Sequence, residues 1–476
     1  MNSAGRATDL LDMSAGTLTK LVASRQVSPV EIVEASLNRI EAINPDLNAF
    51  CLVLGDEARA AARAAEAAVM AGHKLGPLHG IPIAIKDLTP TRNHRTTSGS
   101  KAYRDYIAPE HAVIAQSLIN AGAILVGKTT TPEFAYSGFT YSPLWGITRN
   151  PWDRTRTSGG SSGGSGVAVA TGCVPLAEGS DMGGSVRIPA SCCGITGLKP
   201  SLGRIPFTIL RSTFETLAHF GPLARSCDDA ALFLSAAQGP NEADILSNPQ
   251  PIAFPPTLAC DPRRLKIALS IDLGFYGVDP EVERNTREMA DRLRSLGAEV
   301  EEVSLGWTFE SVLAWDRRWN VYIATHYGHL LDEHRHDLDP EVVRIIEKGN
   351  RTSAVEAKRT EFVATDMWRK LSAILSHYDA MICPTLARPM GLAEATDRTS
   401  GGFDKEGRYL GTTMTTPFNL VSQCPVLSVP SGFTSGSLPT GLQIVGRRFD
   451  DLTVLQMGKL LEESWGETGF PRPPRI

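Results

Sequence analysis

Apolar positions recur at two periods along this chain, and the alternation between the periods sets the first expectation of its architecture. Val30, Val33, Leu37 and Ile40 recur at helical spacing. Ser28-Pro29-Val30-Glu31 has the form of a capping box with proline at the first helical position, and Asn44-Pro45 is expected to end the run. Residues 57–70 are alanine-rich and predict a helix closed by Gly72. Residues 81–85 form a short, continuous apolar run, the pattern of a strand covered on both faces. A helix is expected over 112–121, stopped by Gly122, and a strand over 123–126. Residues 265–271, 280–296 and 299–303 read as strand, helix and strand. Residues 310–331 and 341–376 predict mainly helix, 426–429 and 442–445 strands, and 452–463 a final helix.

This alternation argues for an α/β chain with a partly parallel sheet and helices on both faces. Residues 241–262 are polar at first and then carry Pro249, Pro251, Pro255, Pro256 and Pro262. They read as a surface excursion within one domain spanning 1–476, with a helical N-terminal segment over about 1–75 and a core over about 76–476. Composition adds exclusions. A hydrophobic content of 42% and a charged content of 21% are ordinary for a globular protein. The net charge of −5, from 47 basic and 52 acidic residues with no Lys/Arg block, gives no basic face for nucleic acid. Eight cysteines without a CxxC pair argue against a disulfide scaffold or a zinc site. No run reaches the roughly 20 apolar residues of a membrane span. The start, Met1 to Gly16, has no apolar core of a secretory signal. A cytoplasmic protein is expected.

Several motifs carry candidate chemistry. Gly122-Ala123-Ile124-Leu125-Val126-Gly127-Lys128-Thr129 fits a phosphate loop, but its interior is an apolar strand and Thr131-Pro132 follows where a helix is needed. Gly160-Ser161-Ser162-Gly163-Gly164 fits a nucleophile elbow, yet residues 150–157 before it lack a strand pattern; a Ser-His-Asp esterase using Ser162 is the alternative this motif offers. Ser98-Gly99-Ser100-Lys101 fits S-x-x-K in a polar stretch without companion motifs. His79 reads as a hydrogen-bonded structural histidine. The glycine-serine run could be a flexible linker, but Val167-Ala168-Val169-Ala170 follows it directly and reads as a buried element.

Three segments in order remain. Lys86 closes Gly80-Ile81-Pro82-Ile83-Ala84-Ile85-Lys86-Asp87; Ser161 lies in Ser158-Gly159-Gly160-Ser161-Ser162-Gly163-Gly164-Ser165-Gly166; Ser185 lies in Gly179-Ser180-Asp181-Met182-Gly183-Gly184-Ser185-Val186-Arg187-Ile188-Pro189-Ala190. Together with Trp145-Gly146-Ile147-Thr148-Arg149-Asn150-Pro151 and Gly441-Leu442-Gln443-Ile444-Val445-Gly446, they make the chain resemble the amidase signature family across most of its length.

The resemblance implies a large mixed central β-sheet flanked by helices on both faces, and an amide hydrolase with neither cofactor nor metal. Ser185 would be the nucleophile, Lys86 a base kept neutral by burial, and Ser161, after a cis Gly160–Ser161 bond, the proton relay. Met182, Gly183, Gly184 and Ser185 would offer backbone N–H groups to an oxyanion. Asp181 and Arg187, with Gly160 and Ser162, would support the loops. Met182 departs from the smaller or β-branched residue of many relatives. The substrate would be a small uncharged amide or a carbamate, and the protein a monomer or homodimer. Phe134, Tyr136, Trp145 and Trp319, among other aromatics, are expected to line an apolar pocket. Another family role, the glutaminase-type component of a tRNA-dependent amidotransferase, typically has glutamine where this chain has Ile188.

Overall fold

A computed structural model describes residues 10–395, 402–466 and 469–474; residues 1–9 of the segment read for a secretory signal lie outside it. Eleven strands form one mixed sheet in the order β1-β3-β2-β6-β8-β7-β12-β13-β11-β9-β10. They are β1 (Phe50–Val53), β2 (Pro82–Lys86), β3 (Ile124–Thr129), β6 (Leu176–Asp181), β7 (Thr196–Lys199) and β8 (His219–Ala224) in the first half. The second half supplies β9 (Lys266–Leu269), β10 (Glu299–Glu302), β11 (Ala380–Pro384), β12 (Val426–Phe433) and β13 (Pro439–Gly446). A small hairpin, β4 (Tyr141–Ser142) with β5 (Gly146–Ile147), stands apart.

Strands β3, β2 and β6 run parallel, as do β11, β9 and β10, and antiparallel pairs join the two groups. Every residue of β2, β6, β8 and β13 is buried, so the sheet is covered on both faces. Of residues 241–262, 241–261 hold no helix or strand, and Pro262 opens the short 3-10 helix Pro262–Arg264.

Among the boundaries that differ from the sequence reading, three have a clear local cause, and 310–331 also divides, into Glu310–Tyr327 and Leu330–His334. The capping-box helix runs through Pro45 to Leu47. Asn44 explains this, because its Oδ1 accepts from the N–H groups of Ala49 and Phe50 at 2.8 and 2.7 Å and so moves the chain reversal to left-handed Asn48. The stretch 341–376 is two helices, Pro340–Asn350 and Ala354–Leu375, because Ser353 forms its own capping box with Glu356. Strand β3 extends through Lys128, so the glycine-lysine motif at 122–129 is a sheet element rather than an anion-binding loop. Lys128 is buried beside Asp87 at 3.4 Å.

All eight cysteines are free thiols. Among the described residues no helix is long and apolar enough to cross a membrane.

Candidate active site

The carboxyl ends of β2 and β6 lie side by side, the usual place for a site in a sheet of this kind. Lys86 is the last residue of β2 and is fully buried. Its Nζ lies 2.6 Å from Ser161 Oγ and 2.9 Å from Ser180 Oγ. Burial pushes the amine down to about 7, with the carboxyl groups of Glu178 and Asp181 opposing part of the shift. Glu178 accepts from the Lys86 backbone N–H at 2.9 Å, and burial pushes its carboxyl group up. Sequence reasoning missed Ser180 and Glu178. The available signal was strand parity: two residues apart in β6, both side chains fall on one face of the sheet.

The segment Ser158 to Gly166 is buried throughout and is no linker. The Gly160–Ser161 peptide bond is cis. A side chain at Gly164 would meet Ala49 O and Thr130 N at 2.5 Å, so close backbone approach requires glycine there. The helix Gly163–Ala170 then begins, with Ser162 at its N-cap position but making no side-chain cap. The Ser162 N–H donates to Ser185 O at 3.1 Å, which ties this segment to the third one. Ser162 Oγ donates to the Ser180 carbonyl at 3.4 Å rather than to a histidine.

Ser185 is the half-buried member of an otherwise buried turn between β6 and the helix Arg187–Cys193. The turn is built around Asp181. Arg187 reaches Asp181 Oδ1 through Nη2 at 2.8 Å and Oδ2 through Nε at 3.0 Å. Its remaining donors go to Gln443 Oε1, Thr415 O and Asn419 Oδ1 at 2.8, 3.1 and 2.7 Å. Every guanidinium N–H is thereby satisfied, which a buried charge demands. Burial alone would push the Asp181 carboxyl group up; the Arg187 ion pair and hydrogen bonds hold it well below the usual carboxylate range. Asp181 also accepts from the N–H groups of Gly184 and Val186 at 2.9 and 3.2 Å. This corrects one expectation: the Gly184 N–H is committed to a buried carboxylate, whose acceptor capacity must be filled, and is not free for an oxyanion. Replacing Arg187 by methionine would strand that carboxylate. The expected loss is about 3–5 kcal/mol of unfolding free energy, read from urea denaturation.

A cavity of about 340 Å³ opens over this turn. Ser185, Met182, Gly183 and Ile188 form one wall, and the helix Glu310–Tyr327 forms another with Trp315 and Trp319. The rings of Trp315 and Trp319 stack at 5.7 Å and 11°. Phe139, Phe309, Tyr409 and Met390 add apolar surface, while Asp316, Glu341 and Arg344 bring charge to the lining. Of the four aromatics named from sequence, Tyr136 and Trp319 line the cavity. Phe134 is instead buried against Tyr327, with ring centroids 3.9 Å apart. Trp145 donates from Nε1 to Thr97 Oγ1 at 2.9 Å, outside the cavity lining. Phe134 lies in the link between β3 and β4, and half-buried Trp145 lies in the turn between β4 and β5. His79 sits on the Ala65 carbonyl at 3.0 Å, a packing role. Among the described residues no group of three or more His, Cys, Asp or Glu side chains is placed to hold a metal ion.

Comparison with known proteins gives concordant results. A family profile described as Amidase matches residues 31–455. An acylamidase of Rhodococcus erythropolis is 39% identical over 450 residues, covering 93% of this chain and 94% of that protein. A glutamyl-tRNA(Gln) amidotransferase subunit of Chloroflexus aurantiacus is 36% identical over 480 residues, covering 95% and 96%. The crystal structure of a bacterial aryl acylamidase of the amidase signature enzymes superposes with a TM-score of 0.89 at 31% identity, covering 95% of this chain and 96% of that one.

Proposed function

The chain belongs to the amidase signature family, and from that premise we propose that it hydrolyses uncharged amides through an acyl-enzyme formed on Ser185. The observation that carries this reading is the contact of a buried amine with a serine hydroxyl, Lys86 Nζ to Ser161 Oγ at 2.6 Å, beside a turn that presents a half-buried serine. A neutral Lys86 accepts the Ser161 proton while donating to Ser180 Oγ. Ser161 takes the proton of Ser185, and Ser185 Oγ attacks the carbonyl carbon. The N–H groups of Met182, Gly183 and Ser185 receive the developing oxyanion, with Gly184 occupied by Asp181. As the C–N bond breaks, Ser161 passes one proton to the leaving nitrogen and regains its own from Lys86. Water, activated by the same chain, then releases the acid.

The stacked Trp315 and Trp319 rings favour an aryl or hydrophobic acyl or leaving group, as in the aryl acylamidase relative. A carbamate would follow the same path through a carbamoyl-enzyme. We place this chemistry on small molecules in the cytoplasm, where eight free thiols persist.

An organophosphorus or sulfonyl reagent, followed by peptide mass spectrometry, tests the reading: the label is expected on Ser185. A label on Ser162, or none, would refute it. A panel of amides, esters and carbamates with matched aryl leaving groups ranks the substrates. Glutamine belongs in that panel, since ammonia release seen only with partner proteins would point to the amidotransferase role instead. Ile188 lines the cavity and offers no hydrogen bond to such a substrate.

The base works only when deprotonated. Because the Lys86 amine sits at about 7, kcat/KM is expected to climb with pH below neutrality and level off above it. A profile flat from about pH 6 to about pH 9 contradicts a titrating lysine.

A further inference from the structure

Trp315 makes a contact that aromatic packing does not require. Its indole Nε1 donates to the Met182 carbonyl at 2.7 Å. In a trans peptide the carbonyl and the following N–H point in opposite directions, so holding the Met182 carbonyl fixes the direction of the Gly183 N–H. The next peptide is held in the same way, with Thr415 Oγ1 donating to the Gly183 carbonyl at 2.6 Å and the Gly184 N–H donating to Asp181 at 2.9 Å. Without its clamp the Met182–Gly183 peptide could rotate, because glycine at 183 carries no side chain to oppose a change of φ. Glycine is also obligatory there: a Cβ on residue 183 would lie 2.4 Å from the Trp315 ring. The ring itself cannot swing freely, since it stacks on Trp319 four residues along the same helix.

We propose that Trp315 is a positioning residue of the reaction, aiming the Gly183 N–H at the oxyanion. The inference rests on the reading of Ser185 as nucleophile and adds to it a residue 130 positions away in sequence. It predicts that the indole N–H matters for the transition state and little for substrate binding.

The test replaces Trp315 by 3-benzothienylalanine introduced at position 315 alone, which exchanges only the N–H for sulfur and keeps the bicyclic ring that walls the cavity and stacks on Trp319. Two inhibitors of one skeleton are compared: an aryl trifluoromethyl ketone, which forms a tetrahedral oxyanion on the nucleophile, and the corresponding alcohol, which occupies the cavity without one. The expected result is that kcat and ketone affinity fall together by about 10- to 100-fold, part of the loss that removal of a whole oxyanion donor causes. KM and the alcohol's affinity should stay within about twofold, since the indole N–H acts only on the developing charge. Equal weakening of ketone and alcohol would show that Trp315 only shapes the cavity, and unchanged kcat would show that the clamp is idle; either overturns the proposal. If the wild-type protein takes no label on Ser185 and forms no ketone adduct, the nucleophile assignment itself falls, and the Trp315 assignment with it.

Discussion

Ser185→Ala is expected to lower kcat by about a millionfold, the scale on which serine hydrolases lose activity with their nucleophile. The physical reason is that no neighbouring group can stand in. Ser161 Oγ is fully buried against Lys86, and Ser162 Oγ is turned to the Ser180 carbonyl. The substitution removes one half-buried hydroxyl and no other atom. The turn is held by Asp181, Arg187 and backbone groups, so the fold should be unaffected. The variant should therefore bind a non-electrophilic substrate mimic with wild-type affinity while failing to react with organophosphorus reagents. Residual turnover within about a hundredfold of wild type would mean that another group attacks the carbonyl.

The second large effect is at the base. Lys86→Met keeps the length and apolar stem of the side chain while removing the amine. Acylation should fall by about 10²- to 10⁴-fold, the usual contribution of a positioned general base. The fold should survive, because methionine suits a fully buried site better than a charged amine does. The pH dependence gives a sharper check than the magnitude. With the amine gone, the rise in kcat/KM through neutrality should disappear from whatever activity is left. Near-wild-type turnover, or an unchanged pH profile, would remove Lys86 from the mechanism. Ser161→Ala should resemble this variant rather than Ser185→Ala, since it breaks the relay and leaves the nucleophile in place.

The parts of this site that could be read from sequence are those fixed by local pattern. Lys86 closes a continuous apolar run, and such a run becomes a buried strand wherever it lies in the chain. The paired glycines before Ser185 announce a turn that no side chain could enter: a Cβ on Gly184 would lie 2.0 Å from Thr415 Oγ1. The strand β6 was not legible, although it is the most informative strand of the site. Leu176-Ala177-Glu178-Gly179-Ser180-Asp181 looks polar because its polar side chains face a buried lysine and a buried arginine instead of water. Strand β8 was hidden by Pro222, which a central strand seldom carries. Phe134 and Trp145 were misplaced because aromatic residue type does not distinguish a cavity wall from packing between elements.

By itself, the sequence determined most of the helices, the strands β2, β3, β9, β10, β12 and β13, the buried lysine and the two serine-bearing glycine turns through interactions between residues close in the chain, and it carried the resemblance to the family. Only the tertiary structure decided which amide of the Ser185 turn is already engaged, which aromatic rings face the cavity, and that Trp315, Thr415, Asn419 and Gln443 converge on one turn. The pairing of β7 with β12 and of β12 with β13 carries Gln443 and the segment of Thr415 and Asn419 that leads into β12 to the site, and Trp315 arrives on the helix Glu310–Tyr327, which packs against residues 417–420. Contacts between strands far apart in the chain depend on sheet order and register, which residue periodicity does not encode.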